Sequence, residues 1–142
     1  MRPLLAIPTL LLLLVALQAA GCGASDPRQE ILDQRARWEV RILNWAQEPG
    51  GDLNVSTRVS GPPTTRLDRL TVRFSLLDES GAQTGEHWYT YDLARVPRGG
   101  PSDILVRIPG GGRRVDGLAV SLVYEPTDEE ARRIPELAID TE

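Results

Sequence analysis

Apolar and polar residues alternate along the middle of the chain with a period of two. Trp38, Val40 and Ile42, for example, alternate with Glu39 and Arg41. The same pattern recurs in five further segments: 53–59, 70–76, 89–93, 104–108 and 118–124. A period of two predicts β-strands with one buried face. Because turns rich in Gly and Pro separate the segments, the sequence predicts a single all-β domain, an antiparallel β-sandwich of about six to seven strands.

The first 21 residues follow a different pattern. A short positive start is followed by an apolar run from Leu4 to Leu17 and then by small residues. This pattern is typical of a secretory signal helix, and the run is too short for a membrane span, which takes about 20 residues. The chain is therefore expected to divide into a signal peptide at 1–21, a tether or short helix at 22–36, a β-sandwich domain at 37–125 and an acidic tail at 126–142.

The end of the leader, Ala19-Ala20-Gly21-Cys22, resembles the lipobox of bacterial lipoproteins. The resemblance implies that Cys22 carries a diacylglycerol and becomes the new N-terminus after cleavage. Lipidation also explains why an exported protein has a single, unpaired Cys; the alternative is a plain signal peptide that leaves Cys22 as a free thiol. We expect a protein of the cell envelope, anchored to the membrane by its lipid, on the periplasmic face of the outer membrane if the source is Gram-negative.

Short helical segments are predicted at both ends of the mature chain. Asp26 before a proline is a typical helix N-cap, and Thr127 with Glu130 fits a capping box. The last 18 residues carry seven acidic residues against two arginines. An acidic tail of this kind is usually solvated. The sequence leaves open whether Leu137 and Ile139 pack on the sandwich or trail free.

The segment from Phe74 to Gly81 resembles the signature of the FxLYD family of bacterial immunoglobulin-like domains. That signature has Phe, any residue, an aliphatic residue, Tyr, Asp, two variable residues and Gly; Phe74, Leu76, Asp78 and Gly81 match it, and Leu77 replaces the Tyr. The resemblance implies an immunoglobulin-like sandwich in which Asp78 caps a tight turn and Gly81 supplies a positive φ. Another family of small sandwich lipoproteins of bacterial outer membranes, with unknown function, is the related possibility.

Composition and charge narrow the chemistry. The chain has 16 arginines, no lysine, 20 acidic residues and a net charge of -4, which gives no electrostatic reason to expect nucleic acid. One Cys and one His exclude a zinc site of four such ligands, and no metal or cofactor is expected. His87 is the acid–base candidate near neutral pH, but no nucleophile-elbow pattern accompanies the serines. We therefore expect a strand-end histidine at the sandwich rim and no enzyme.

Outward arginines and two tryptophans are the candidates for a recognition surface. Five arginines fall on the outward phase of their strands: Arg37, Arg41, Arg58, Arg73 and Arg107. Acidic partners such as Glu39 are available to them. Trp45 is out of phase with Trp38, and Trp88 is out of phase with Tyr89, so each either packs under a loop or is exposed to a ligand. The candidate recognition surface consists of Trp45, Trp88, Arg41 and Arg73.

These observations predict a non-catalytic protein whose partners are the membrane, through the lipid on Cys22, and another envelope protein. In this hypothesis the sandwich is an interaction or assembly module. The alternative is a module of the envelope that binds a glycan or a small ligand, with Trp88 and nearby arginines as its contacts.

Overall fold

The computed structural model describes residues 26–138, so Cys22, the signal peptide and Ile139 lie outside the described part of the chain. It begins with helix α1 (Pro27–Arg35). The strands are β1 (Glu39–Gln47), β2 (Leu53–Ser60), β3 (Arg69–Leu77), β4 (Gln83–Asp92), β5 (Ser102–Ile108) and β6 (Gly117–Ser121). Helix α2 (Asp128–Arg132) follows, with 3₁₀ turns at Leu93–Arg95, Pro97–Gly99 and Pro135–Leu137. All six strands predicted from the period of two are thus present.

The strands form two antiparallel sheets that pack face to face. One sheet has the order β1-β2-β5 and the other has the order β4-β3-β6. Consecutive strands β1 and β2, and likewise β3 and β4, are neighbours in one sheet, whereas the chain crosses between the sheets after β2, β4 and β5. The prediction of an antiparallel two-sheet β domain is confirmed.

The core lies between the two sheets, and the alternation of the sequence produces it. In β2, Leu53, Val55 and Val59 are fully buried, and in β3 the same holds for Val72 and Phe74. A polar link also joins the sheets: the hydroxyl of Tyr91 donates to that of Thr57 at 2.9 Å, and Thr57 donates to the Ile104 carbonyl at 2.7 Å. Burial raises the pKa of Tyr91 to about 12, so the phenol stays protonated.

Two strand ends differ from the sequence prediction. The fourth strand ends at Asp92, and Leu93 begins a 3₁₀ turn whose first free N–H is capped by the Asp92 carboxylate, 3.0 Å from the Ala94 nitrogen. The sixth strand ends at Ser121 and does not reach Tyr124. Leu93 and Val123 stay buried beyond the strand ends: the Leu93 N–H donates to the Asp68 carbonyl at 2.9 Å, and the Val123 carbonyl accepts from Arg35 at 2.9 Å.

The acidic tail, whose packing the sequence leaves open, is docked on the sandwich as far as Ala138. Thr127 and Glu130 form the expected capping box at the start of α2, with bonds of 3.2 and 2.9 Å. Beyond it, Ile134 and Leu137 are fully buried. The tail folds back because these two side chains, three residues apart, remove apolar surface from water.

A buried ion pair joins helix α1, strand β3 and the tail. The Arg35 side chain is 1% exposed and that of Glu136 is 5% exposed, with 3.2 Å between them. Arg35 also donates to the carbonyls of Thr71 and Val123, at 2.8 and 2.9 Å. Glu136 accepts the Thr71 N–H at 2.6 Å. The pairing of β6 with β3 extends only as far as Arg73. Beyond that point the ion pair supplies hydrogen-bonding partners for the N–H and the carbonyl of Thr71 in β3.

Candidate functional site

The predicted lipidation site, Cys22, lies outside the described residues and stays a prediction. The described chain starts at Asp26, whose carboxylate caps α1 by accepting the Arg28 N–H at 3.0 Å. No helix within 26–138 is long and apolar enough to cross a membrane. The same residues contain no group of three or more His, Cys, Asp or Glu side chains that could hold a metal ion.

The structure separates the four candidate recognition residues. Arg41 lies on the outer face of β1, 3.8 Å from the Glu39 carboxylate, and both side chains are exposed. Arg73 and Trp88 lie on β3 and β4, in the other sheet. The four residues therefore do not form one surface.

A β-bulge turns Trp45 toward the core. The pairing of β1 with β2 shifts by one residue between Ile42 and Asn44, so that Trp45 stands opposite the fully buried Val55. Paired residues point to the same face of a sheet. Trp45 is half-buried and packs against the core. The extra residue, Leu43, accounts for the change of phase seen in the sequence.

Trp88 and Arg73 do lie together, because they stand opposite each other on β4 and β3. The guanidinium carbons of Arg73 and Arg133 are 5.7 and 5.9 Å from the centre of the Trp88 ring. Arg73 binds Glu130 at 2.8 Å and Arg133 binds Glu86 at 2.6 Å. This Trp88 cluster of five residues combines two cation–π contacts with two ion pairs, so its arginines are neutralised within the chain.

Three members of the Trp88 cluster, Arg133, Glu130 and Glu86, were absent from the sequence prediction. Arg133 and Glu130 belong to the tail, and the sequence leaves open whether the tail packs on the sandwich. The capping box and the spacing of Ile134 and Leu137 were the signals that the tail is ordered. Thr127 lowers the pKa of Glu130 through a backbone hydrogen bond, and Arg73 lowers it further, so the carboxylate stays ionised.

The residues that resemble the FxLYD signature form the end of β3 and its turn. Phe74 and Leu76 are buried in the core. The Asp78 carboxylate accepts from the Ser80 N–H at 2.8 Å and the Ala82 N–H at 3.0 Å, and the Ser80 hydroxyl and these N–H groups lower its pKa. Gly81 has a φ of 84°, which favours glycine. These four matching positions therefore have packing and turn-forming contacts.

His87 lies in the middle of β4, opposite Phe74, so its description as a strand-end residue is wrong. The strand begins at Gln83, before the apolar alternation becomes visible in the sequence. Partial burial lowers the pKa of His87, which favours the neutral imidazole at pH 7.

The outer face of the β1-β2-β5 sheet carries paired charges. Arg58 binds Asp103 through two bonds, at 2.8 and 3.2 Å. Arg107 lies 3.1 Å from Glu48 and 3.0 Å from Asp52. The availability of acidic partners predicted from the sequence is confirmed for these outward arginines, and the face presents both signs of charge.

Three grooves border helix α1. A cleft of about 470 Å³ lies between α1 and the loop after β2, lined by charges of both signs that include Asp33, Arg37 and Arg66. A groove of about 350 Å³ lies between α1 and the start of the tail, where Tyr124 is exposed. The third groove, of about 380 Å³, lies between α1, the start of β3 and the 3₁₀ turn at Pro135–Leu137.

Comparison of the chain with protein-family models, curated protein sequences and solved structures finds no match in any of the three. The class of protein is therefore described by its fold: two three-stranded antiparallel β-sheets, with the N-terminal helix and the C-terminal tail docked on the sandwich.

Proposed function

We propose that this chain is a lipid-anchored protein of the bacterial cell envelope whose β-sandwich binds another envelope protein. The observation that carries the proposal is the sequence Ala19-Ala20-Gly21-Cys22 at the end of the apolar leader. Only three residues separate Cys22 from the N-cap Asp26, so their Cα atoms are at most about 14 Å apart. A lipid on Cys22 would therefore hold the folded domain close to the membrane surface.

The strand order supports an immunoglobulin-like class for the sandwich. In immunoglobulin domains strands A, B and E share one sheet, and strands C′, C and F share the other. The orders β1-β2-β5 and β4-β3-β6 correspond to these two sets. This correspondence supports the resemblance to the FxLYD family. In the proposed function, the sandwich of this chain is a structural and interaction module without catalytic residues.

Replacement of Cys22 by Ser tests the lipid anchor. We expect Cys22→Ser to abolish labelling by a radioactive or clickable fatty acid and to move the protein from the membrane fraction to the soluble fraction. Ser25→Ala is the matched control, since it changes a neighbouring small residue and keeps the thiol. A Cys22→Ser chain that is still labelled, or still fractionates with membranes, would show that the anchor lies elsewhere.

Photo-crosslinking in cells tests the interaction role. A photoreactive amino acid is placed at the outward positions Arg41 and Leu105, and a control is placed at the fully buried Val72. From an outward position we expect an adduct of defined mass, either with another envelope protein or with a second copy of this chain. From the control position we expect no adduct. The absence of adducts from both outward positions would contradict the proposed role.

A second candidate function is supported by the Trp88 cluster. A half-buried indole beside two arginines is a typical contact for a glycan or another small polar ligand. Titration of the protein with peptidoglycan fragments and oligosaccharides, followed by Trp fluorescence, tests it. A response lost in Trp88→Phe but kept in Trp45→Phe would favour this candidate, and no response at millimolar ligand would exclude it.

A further inference from the structure

Strand β5 is an unprotected edge of its sheet. Within residues 26–138 it pairs only with β2, and its register with β2 has no irregularity over seven residues. The other edge strands are interrupted or short: β1 has a bulge, β4 has an extra residue where it pairs with the end of β3, and β6 has five residues. Straight, open edges recruit further strands unless they are blocked.

The side chains of β5 suit pairing with a further strand. Leu105, in the centre of the strand, is 66% exposed, the highest value among the exposed large hydrophobic residues of the described chain. Asp103 and Arg107 flank it on the same outer face, two residues away on each side. Ile104 and Val106 alternate with them and point into the core.

We propose that β5 pairs with β5 of a second copy of this chain, antiparallel, with the two-fold axis at Leu105. The sequence around Leu105 is complementary to itself in this register. Asp103 stands opposite Arg107 of the second copy, Leu105 opposite its own counterpart, and Ile104 opposite Val106. Such an isologous contact joins two three-stranded sheets into one sheet of six strands.

The charges select this register. Moving the axis by one residue leaves Asp103 and Arg107 without opposite partners, and moving it by two places like charges face to face. Each charge already has a partner of its own chain: Arg58 for Asp103, and Glu48 with Asp52 for Arg107. The contact between copies therefore extends a row of side chains of alternating charge across the joined sheet. Opposite charges on directly opposed residues stabilise a pair of strands.

The proposed lipid anchor helps such a contact form, and only in this respect does the inference rest on the proposed function. Confinement of both copies to one membrane raises their effective concentration.

Cysteine crosslinking in membranes that contain the full chain tests the contact. Opposed Cα atoms on antiparallel strands lie about 4.5–5.5 Å apart, within the range of about 4.4–6.8 Å that a disulfide spans. We expect Leu105→Cys to give a disulfide-linked dimer under mild oxidation, whereas the unmodified chain and Leu43→Cys, on the same outer face but on β1, stay monomeric. Dimer yield from Leu105→Cys no higher than from Leu43→Cys would overturn the proposal. Fatty-acid labelling of the same samples reports separately on the anchor.

Charge reversal in the Leu105→Cys chain tests the register. Asp103→Arg places like charges opposite each other between copies, and we expect the dimer yield to fall several-fold. The double variant Asp103→Arg with Arg107→Asp restores opposite charges between copies but leaves both residues mismatched with their partners in their own chain. Recovery of the yield in the double variant supports the contact, and a yield as low as in the single variant would overturn it.

Discussion

Arg35 is almost fully buried although helix α1 is mostly polar. Burial lowers its pKa, and the Glu136 carboxylate opposes this effect. A buried ion pair adds little net stability over apolar residues of the same shape, but the loss of one partner leaves an uncompensated charge. The pair therefore makes docking of the tail specific, because the tail is docked correctly only when Glu136 contacts Arg35 and Thr71.

Removal of one partner of this ion pair is expected to destabilise the fold. We expect Arg35→Met and Glu136→Gln each to lower the free energy of unfolding by about 3–5 kcal/mol. Arg66→Met is the matched control, because Arg66 and Glu30 form an exposed pair at 3.1 Å, worth at most about 1 kcal/mol. Urea unfolding of the full chain, followed by Trp fluorescence, measures the three values. Equal losses for Arg35→Met and Arg66→Met would contradict the structural role of the buried pair.

His87, the one histidine of the chain, gives the stability a defined pH dependence. Its pKa is lowered by burial, so between its folded and unfolded pKa values the unfolded chain binds more protons. The free energy of unfolding should therefore fall as the pH drops below about 6.5, the ordinary histidine pKa. NMR titration of the single imidazole should give a pKa below that value, and His87→Gln should lose this contribution to the slope. A measured pKa above the ordinary value would contradict the expectation.

At the scale of elements, the local sequence pattern predicts where the strands are. It does not predict which face of the sheet every side chain points to. The alternation in β1 predicts a strand, but the bulge that turns Trp45 inward depends on how β1 pairs with β2. Likewise the capping box predicts α2, whereas its position over the sheet depends on contacts with Arg73. Local preferences act within a few residues, and these contacts join residues far apart in the chain.

The close approach of Gly61 to Trp38 is a tertiary contact that joins the start of β1 to the end of β2. A Cβ atom on Gly61 would collide with the Trp38 ring, which is buried. We expect Gly61→Ala to lower the free energy of unfolding by about 1–3 kcal/mol through overpacking. Gly50→Ala, in a turn with open space around it, should change stability little. Thermal unfolding of both variants measures the difference, and a neutral Gly61→Ala would show that the ring moves aside.

At the scale of the whole molecule, the two ends of the described chain are joined through one strand. Arg35 near the N-terminal end and Glu136 near the C-terminal end both bind Thr71 in β3. The tail and α1 are therefore expected to unfold with the sandwich as one cooperative unit.

Coincident unfolding transitions test this coupling. The tail carries a protease site at Arg132 and Arg133, both exposed but held in or beside α2. We expect trypsin cleavage there to rise with urea at the same midpoint as the change in Trp fluorescence. In Glu136→Gln the tail cleavage should shift to lower urea than the fluorescence change. Cleavage well before the fluorescence transition in the unmodified chain would show that the tail opens independently.

The sequence by itself determined the number and type of the strands, the Asp78–Gly81 turn, both helix caps and the candidate lipid site at Cys22. These features depend on backbone geometry and residue chemistry within a few positions. Only the tertiary structure decided which way Trp45 faces, which residues surround Trp88, and that β5 is an open edge. The physical reason is that pairing and burial are set by non-local contacts, such as the one between Arg35 and Glu136, which are 101 residues apart.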